Sequence, residues 1–240
     1  MRTNLLYLED SYIKETDATI LEVHNESSGK YRLLLDQTVF YPMGGGQPTD
    51  QGTLSFDSGT VDVYQVMLKD GEVWHFVSSS VAPTISDKVQ LSINWERRYK
   101  NMRVHSGGHV VDFALFVLGY SPKQLMPQKA DHGKKPFIVY QGVVQNDIKA
   151  QLEKAANELI EKDLKFSYAF QPLEELQKEA IYLQPGLPTN KPLRTLRLEG
   201  IGAVADGGTQ VASTKEVGKI TIPEIEVQNG STIIHYAIEL

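Results

Sequence analysis

Between residues 18 and 93 the chain alternates apolar and polar side chains in six short segments: 18–24, 31–36, 52–56, 61–66, 73–77 and 89–93. A period of two puts the apolar side chains on one face of a pleated strand, so each segment predicts a half-buried β-strand. Turn-forming residues divide them: Asn25 to Gly29, Asp57-Ser58-Gly59, and the hairpin dipeptide Asp70-Gly71. Short strands at this spacing predict a small antiparallel β-barrel or sandwich over residues 1–93, with 89–93 closing or leaving it. The 240 residues suffice for one large domain or two ordinary ones.

One stretch interrupts the alternation, Phe40 to Gly52, with Gly44, Gly45 and Gly46 in succession. Glycines permit positive φ and close backbone approach. The flanking prolines and aromatics stiffen the loop, and a stiff loop with open amides suits binding.

Residues 94–240 read as helices segregated from antiparallel strands, an α+β pattern with a two-layer α/β arrangement. Strands are expected at 137–140, 165–170, 193–198, 219–222 and 231–238. Helices are expected over 145–162, capped by Asn146 or Asp147, and over 172–179, with a proline-rich loop at 183–192. An apolar run at 110–118 is headed by His105-Ser106-Gly107-Gly108-His109. On a helix, residues four apart share a face, so His105 and His109 could share one metal ion or simply be two helix-face histidines. Asp206 and Gln210 are also four apart, in Asp206-Gly207-Gly208-Thr209-Gln210. Their oxygens could bind a metal, or the segment could be an ordinary Asp-Gly turn.

The chain contains no cysteine, which removes disulfides, thiolate metal ligands and cysteine nucleophiles. No Ser-His-Asp arrangement is readable either, so covalent catalysis is not expected. The net charge of −6 argues against indiscriminate coating of nucleic acid. Residues 96–135 reverse that sign locally, with eight Lys and Arg against three Asp and Glu. Such a cluster is a solvated face or a phosphate-binding one. No apolar stretch is long enough to span a bilayer, and acidic residues enter the N-terminus before any signal-like apolar region, so a cytoplasmic location is expected.

Three stretches carry a resemblance: FYPMGGGQPTDQG at 40–52, WERRYKNMRVHSGGH at 95–109 and DGGTQVASTKEVGKI at 206–220. In sequence and order they resemble the AlaX family of alanyl-tRNA editing proteins and the corresponding parts of alanyl-tRNA synthetase, nearly end to end. The length is similar to that of the medium-sized, two-domain members. The resemblance implies a β-barrel-like domain at 1–93 and an α+β editing domain at 94–240. It implies metal-assisted hydrolysis of the ester in misacylated tRNA(Ala), with seryl- or glycyl-tRNA as substrate and the tRNA acceptor end as partner. In the family, zinc is held by an HxxxH pair and by a Cys and a His four apart. His105 and His109 match the first pair, whereas Asp206 and Gln210 stand where the Cys and His are expected. That set is harder, so one divalent metal is implied, zinc by resemblance, with other divalent ions competitive. By the same resemblance Gly44, Gly45, Gly46 and Gln47 approach the substrate, Thr209 lines the pocket, and Arg97, Arg98 and Arg103 meet phosphates. The alternatives are a non-catalytic tRNA-binding relative with a decayed metal site and an esterase for another aminoacyl-tRNA.

Overall fold

All six alternating segments are strands of a closed barrel. The computed structural model describes residues 2–57, 59–120, 122–144 and 147–239, in two units, Met1–Lys100 and Asn101–Leu240. In the first unit, β1 (Asn4–Leu5) pairs in parallel with β4 (Gln37–Thr38). The barrel consists of β2 (Glu15–Ser27), β3 (Lys30–Leu35), β5 (Gly52–Phe56), β6 (Gly59–Lys69), β7 (Glu72–Ser78) and β8 (Lys88–Ile93). Its order is β2-β3-β7-β6-β5-β8, and the ring closes because β8 pairs with both β2 and β5, every pair antiparallel. In β8 the alternation is plain: Val89, Leu91 and Ile93 are buried while Lys88 and Gln90 are exposed. With Ile20, Leu33, Leu35, Leu54, Val63, Val73 and Val77 they fill the barrel. Asp70 and Gly71, with φ of 54° and 78°, form the mirror-image turn that joins β6 to β7. The first predicted turn is shorter than expected, since β2 runs through Asn25 to Ser27. Ser58, in the second predicted turn, lies outside the described residues.

The glycine stretch is a stapled loop. Gly45 and Gly46 adopt φ of 55° and 82°, and Gly44 and Gln47 exchange backbone hydrogen bonds across them, at 3.3 and 2.8 Å. The Tyr41 hydroxyl donates to the Gly44 carbonyl at 2.9 Å, and the Tyr41 amide donates to Asp50 Oδ2 at 2.7 Å. The same carboxylate receives Arg98 Nε at 2.8 Å, while Arg98 Nη1 donates to the Ser11 carbonyl at 2.9 Å. Arg98 is fully buried. This corrects its expected phosphate contact: the guanidinium is committed to the interior of the first unit.

Helix α1 (Trp95–Val117) starts before the unit boundary and continues into the second unit. There follow β9 (Met126–Asp131), β10 (Phe137–Gln141), α2 (Lys149–Glu161), β11 (Phe166–Gln171), α3 (Leu173–Leu176), β12 (Leu193–Leu198), β13 (Gly202–Ala205), α4 (Thr214–Val217), β14 (Ile220–Gln228) and β15 (Ser231–Ile238). The strands form two antiparallel sheets, β14-β15-β10-β9 and β11-β12-β13. Helix α2 buries Leu152, Ala155, Ala156, Leu159 and Ile160. It is tied to β14 by Asn157, whose carboxamide bonds both the amide and the carbonyl of Ile220. Of its two expected caps, Asn146 lies outside the described residues and Asp147 accepts the Lys149 amide at 3.0 Å. The alternation rule missed β9 because Pro127 sits in it; a proline is tolerated there because β9 is an edge strand. Among the described residues no helix is long and apolar enough to cross a membrane.

Candidate metal centre

From Asn101 to Leu115 nearly every position of α1 is buried, histidines included. Gly107 and Gly108 weaken the helix intrinsically, by about 1 kcal/mol each relative to alanine. Packing accounts for Gly108 and leaves little room at Gly107. A Cβ on Gly108 would stand 2.5 Å from His132 Cε1, and one on Gly107 would stand 3.1 Å from Ile238 Cγ2. Small residues therefore bring the helix backbone against β15 and the His132 ring.

His105 and His109 lie one turn apart, with ring centroids 5.0 Å apart. Asp206 follows directly on β13 and faces both. Its Oδ1 is 3.5 Å from His105 Nε2 and 3.5 Å from His109 Nε2. Its other oxygen, Oδ2, accepts the Gly208 amide at 3.1 Å and Gln210 Nε2 at 3.0 Å, with Arg194 Nη1 at 3.5 Å. Arg194 also donates to the carbonyls of Asp206 and Gly208 and stacks its guanidinium over Tyr168. Oδ2 is thus anchored, and Oδ1 is left to the histidines.

The electrostatics of the cluster follow from burial and from carboxylates close to imidazoles. Burial opposes the charge on Asp206, but His105, His109 and Arg194 hold its carboxyl well below the usual carboxylate range. Burial pushes His105 well below its ordinary value. His132, stacked on His105 at 4.5 Å, is likewise lowered to about 4 by burial and by His109. Burial also disfavours charge on His109, yet Asp112 and Asp206 outweigh it and raise that ring to about 9. The two carboxylates demand positive charge between them. A protonated His109 supplies it, and so does a divalent cation held by neutral imidazoles.

The donor set fits such a cation. One donor atom each from His105, His109 and Asp206 lies within 4.8 Å of the others. Tetrahedral coordination with bonds of about 2.0–2.1 Å puts neighbouring donors roughly 3.3–3.4 Å apart, close to the 3.5 Å separations here. Both ring nitrogens of His109 are buried with no hydrogen-bond partner among the described residues, an arrangement that a ligand on Nε2 would relieve.

The other predicted residues are placed as follows. Gln210 is beside the cluster, but both ends of its carboxamide are engaged: Nε2 with Asp206, and Oε1 with the Ser106 hydroxyl at 2.5 Å. It holds Asp206 in place, which differs from the direct ligation expected of it. Thr209 is fully buried in the second unit. Arg103 spans to the carbonyls of Val217 and Glu239. Gly44, Gly45, Gly46 and Gln47 belong to the first unit, as does Arg97, whose Nε donates to the Thr49 carbonyl at 3.0 Å. Sequence reasoning missed Ser106, Asp112, His132, Arg194 and the buried tyrosines Tyr140, Tyr182 and Tyr236, the last bonded through its hydroxyl to the His132 ring. Of these, Asp112 could have been found, because its i+3 spacing from His109 puts it on the same helix face. His132 carries no local signal; only folding brings it to His105.

The family model described as tRNA synthetases class II (A) matches residues 8–97. The AlaX-M alanyl-tRNA editing protein of Saccharolobus solfataricus is 33% identical over 249 residues, 99% of this chain and 99% of that protein. The AlaX-M protein of Pyrococcus horikoshii is 42% identical over 125 residues, 52% of this chain and 54% of that protein. The alanine–tRNA ligase of Halobacterium salinarum is 32% identical over 243 residues, which are 98% of this chain and 26% of the ligase. The chain belongs to the AlaX family of alanyl-tRNA editing proteins.

Proposed function

We propose that this protein edits tRNA(Ala) by hydrolysing the ester that joins a wrong amino acid, serine or glycine, to the 3′-terminal ribose. The observation that supports this most directly is the convergence of His105 Nε2, His109 Nε2 and Asp206 Oδ1 in a chain that matches an AlaX-M protein from end to end. His105, His109 and Asp206 would hold one divalent ion, zinc by the family resemblance, leaving a fourth position open as catalytic sites do. The chemistry such an ion supplies is that of a Lewis acid toward the ester carbonyl and the attacking water. Gln210, Gly208 and Arg194 keep the Asp206 carboxylate aimed at the histidines. Hydrolysis delivers a hydroxyl to the carbonyl carbon and a proton to the departing ribose oxygen. An aminoacyl ester is activated enough for a positioned water to suffice.

In the first unit, the exposed Gly45 at the tip of the stapled loop lets a nucleic-acid backbone come close without side-chain obstruction. With Arg98 buried and Arg103 tied to carbonyls, the exposed lysines of the basic stretch, Lys100 in the first unit and Lys123, Lys129, Lys134 and Lys135 in the second, are the candidates for phosphate binding. A cytoplasmic place of action follows from this reading.

The test is deacylation of seryl-, glycyl- and alanyl-tRNA(Ala) by purified protein loaded with zinc, manganese, cobalt or nickel. Hydrolysis of the seryl or glycyl ester with the alanyl ester spared is expected. Failure with every metal, alongside tRNA binding, would overturn this reading in favour of the non-catalytic relative or the esterase for another aminoacyl-tRNA, which hydrolysis of other aminoacyl-tRNAs would separate.

A further inference from the structure

Asp112 is one helical turn beyond His109 on α1, with Oδ2 3.6 Å from His109 Nδ1. Its two oxygens are each fixed by a phenol. Tyr140, on β10, donates to Oδ1 at 2.6 Å, and Tyr182, between α3 and β12, donates to Oδ2 at 2.9 Å. Asp112, Tyr140 and Tyr182 are all buried. A buried carboxylate is expensive to maintain, and two neutral phenols offset its desolvation only in part. Such a group persists where a nearby centre needs its charge.

We propose that Asp112 is a positioning residue of the metal centre, orienting His109 through Nδ1 while Tyr140 and Tyr182 fix Asp112. This rests on the reading that His105, His109 and Asp206 hold a divalent ion. A ring that ligates through Nε2 is neutral and carries its proton on Nδ1, which then requires an acceptor. Among the described residues Nδ1 has no hydrogen-bond partner, and Asp112 Oδ2 is the carboxylate oxygen paired with it. A shift of about 0.5 Å brings the two within hydrogen-bond range. The bond fixes tautomer and ring plane together, and the anionic acceptor raises the donor strength of Nε2. The anchoring is split between a strand of the four-stranded sheet and the segment leading to the three-stranded one, so the packing of the unit sets the orientation of one ligand.

Zinc affinity, measured by competition with a chromophoric chelator, and the visible spectrum of the cobalt-loaded protein test this in wild type, Asp112→Asn and His109→Ala. Asp112→Asn is expected to weaken zinc binding roughly 10–100-fold and to shift the cobalt bands at saturating metal, which lowered stability alone would not do. Wild-type affinity and spectrum in Asp112→Asn, with binding lost in His109→Ala, would overturn the inference and leave the metal centre standing. No binding by wild type would overturn both. Should Asp112→Asn fail to fold, the Tyr140→Phe, Tyr182→Phe double variant decides: weaker zinc binding supports the inference, and unchanged binding overturns it.

Discussion

His105, His109 and Asp206, the proposed metal ligands, are three residues held in place by many others. The arrangement is held from elsewhere: the glycines let α1 approach, and Gln210, Gly208 and Arg194 clamp Asp206 Oδ2. Replacing an expected Cys and His by Asp206 and Gln210 therefore does not scatter the site. On the proposed reading, one anionic ligand stands in for another, and Gln210 bonds Asp206 and Ser106 beside it. His105→Ala or His109→Ala leaves two strong donors where three are needed. Each variant is expected to lose stoichiometric metal, read by elemental analysis, and to fall to background in seryl-tRNA(Ala) hydrolysis. Retained turnover in either would exclude the cluster as the reactive centre.

At the scale of elements, the first turn of α1 is bound into the barrel unit by a charge. Arg98 and Asp50 are both fully buried and paired. Arg98→Met would leave the Asp50 carboxylate buried without its counter-ion, which destabilises by about 3–5 kcal/mol. Chemical denaturation should show that loss, whereas a phosphate-contacting arginine would show it in tRNA affinity instead. A second element-scale prediction concerns His75 on β7, whose Nε2 meets the Thr38 hydroxyl at 2.7 Å. Burial lowers its pKa to about 4. The unfolded chain binds a proton near pH 6.5 and the folded one does not until about pH 4, so stability falls as pH drops through that window. The slope from this group is about 1.4 kcal/mol per pH unit, and His75→Gln should flatten it in melting experiments between pH 6.5 and 4.5. A slope unchanged in the variant would show that other groups govern the acid sensitivity.

For the molecule as a whole, a net charge of −6 is compatible with the proposed polyanionic partner because the basic residues are unevenly distributed along the chain. Reversing Lys129, Lys134 and Lys135 to Glu is expected to weaken tRNA binding across sequences and to reduce the dependence of log Kd on log salt by roughly 2–3. Unchanged binding would move the phosphate contacts to another face. The barrel was legible along the chain because its strands obey a period of two and its turns carry Asp-Gly signals, both local properties. So was the His105–His109 pair, since helical spacing is local too. The site's second half was less so. An Asp-Gly segment reads as a turn until a tertiary contact places Asp206 Oδ1 between the two imidazoles. The same limit explains why Arg98 read as a phosphate ligand: a cation in a basic run looks exposed until Asp50, far along the chain, is seen to pair with it. Asp112, His132 and the tyrosines around them come from α1, from the connection after β9, and from β10, β15 and the segment after α3. Their meeting depends on the packing of distant elements, which no periodicity of neighbouring residues encodes.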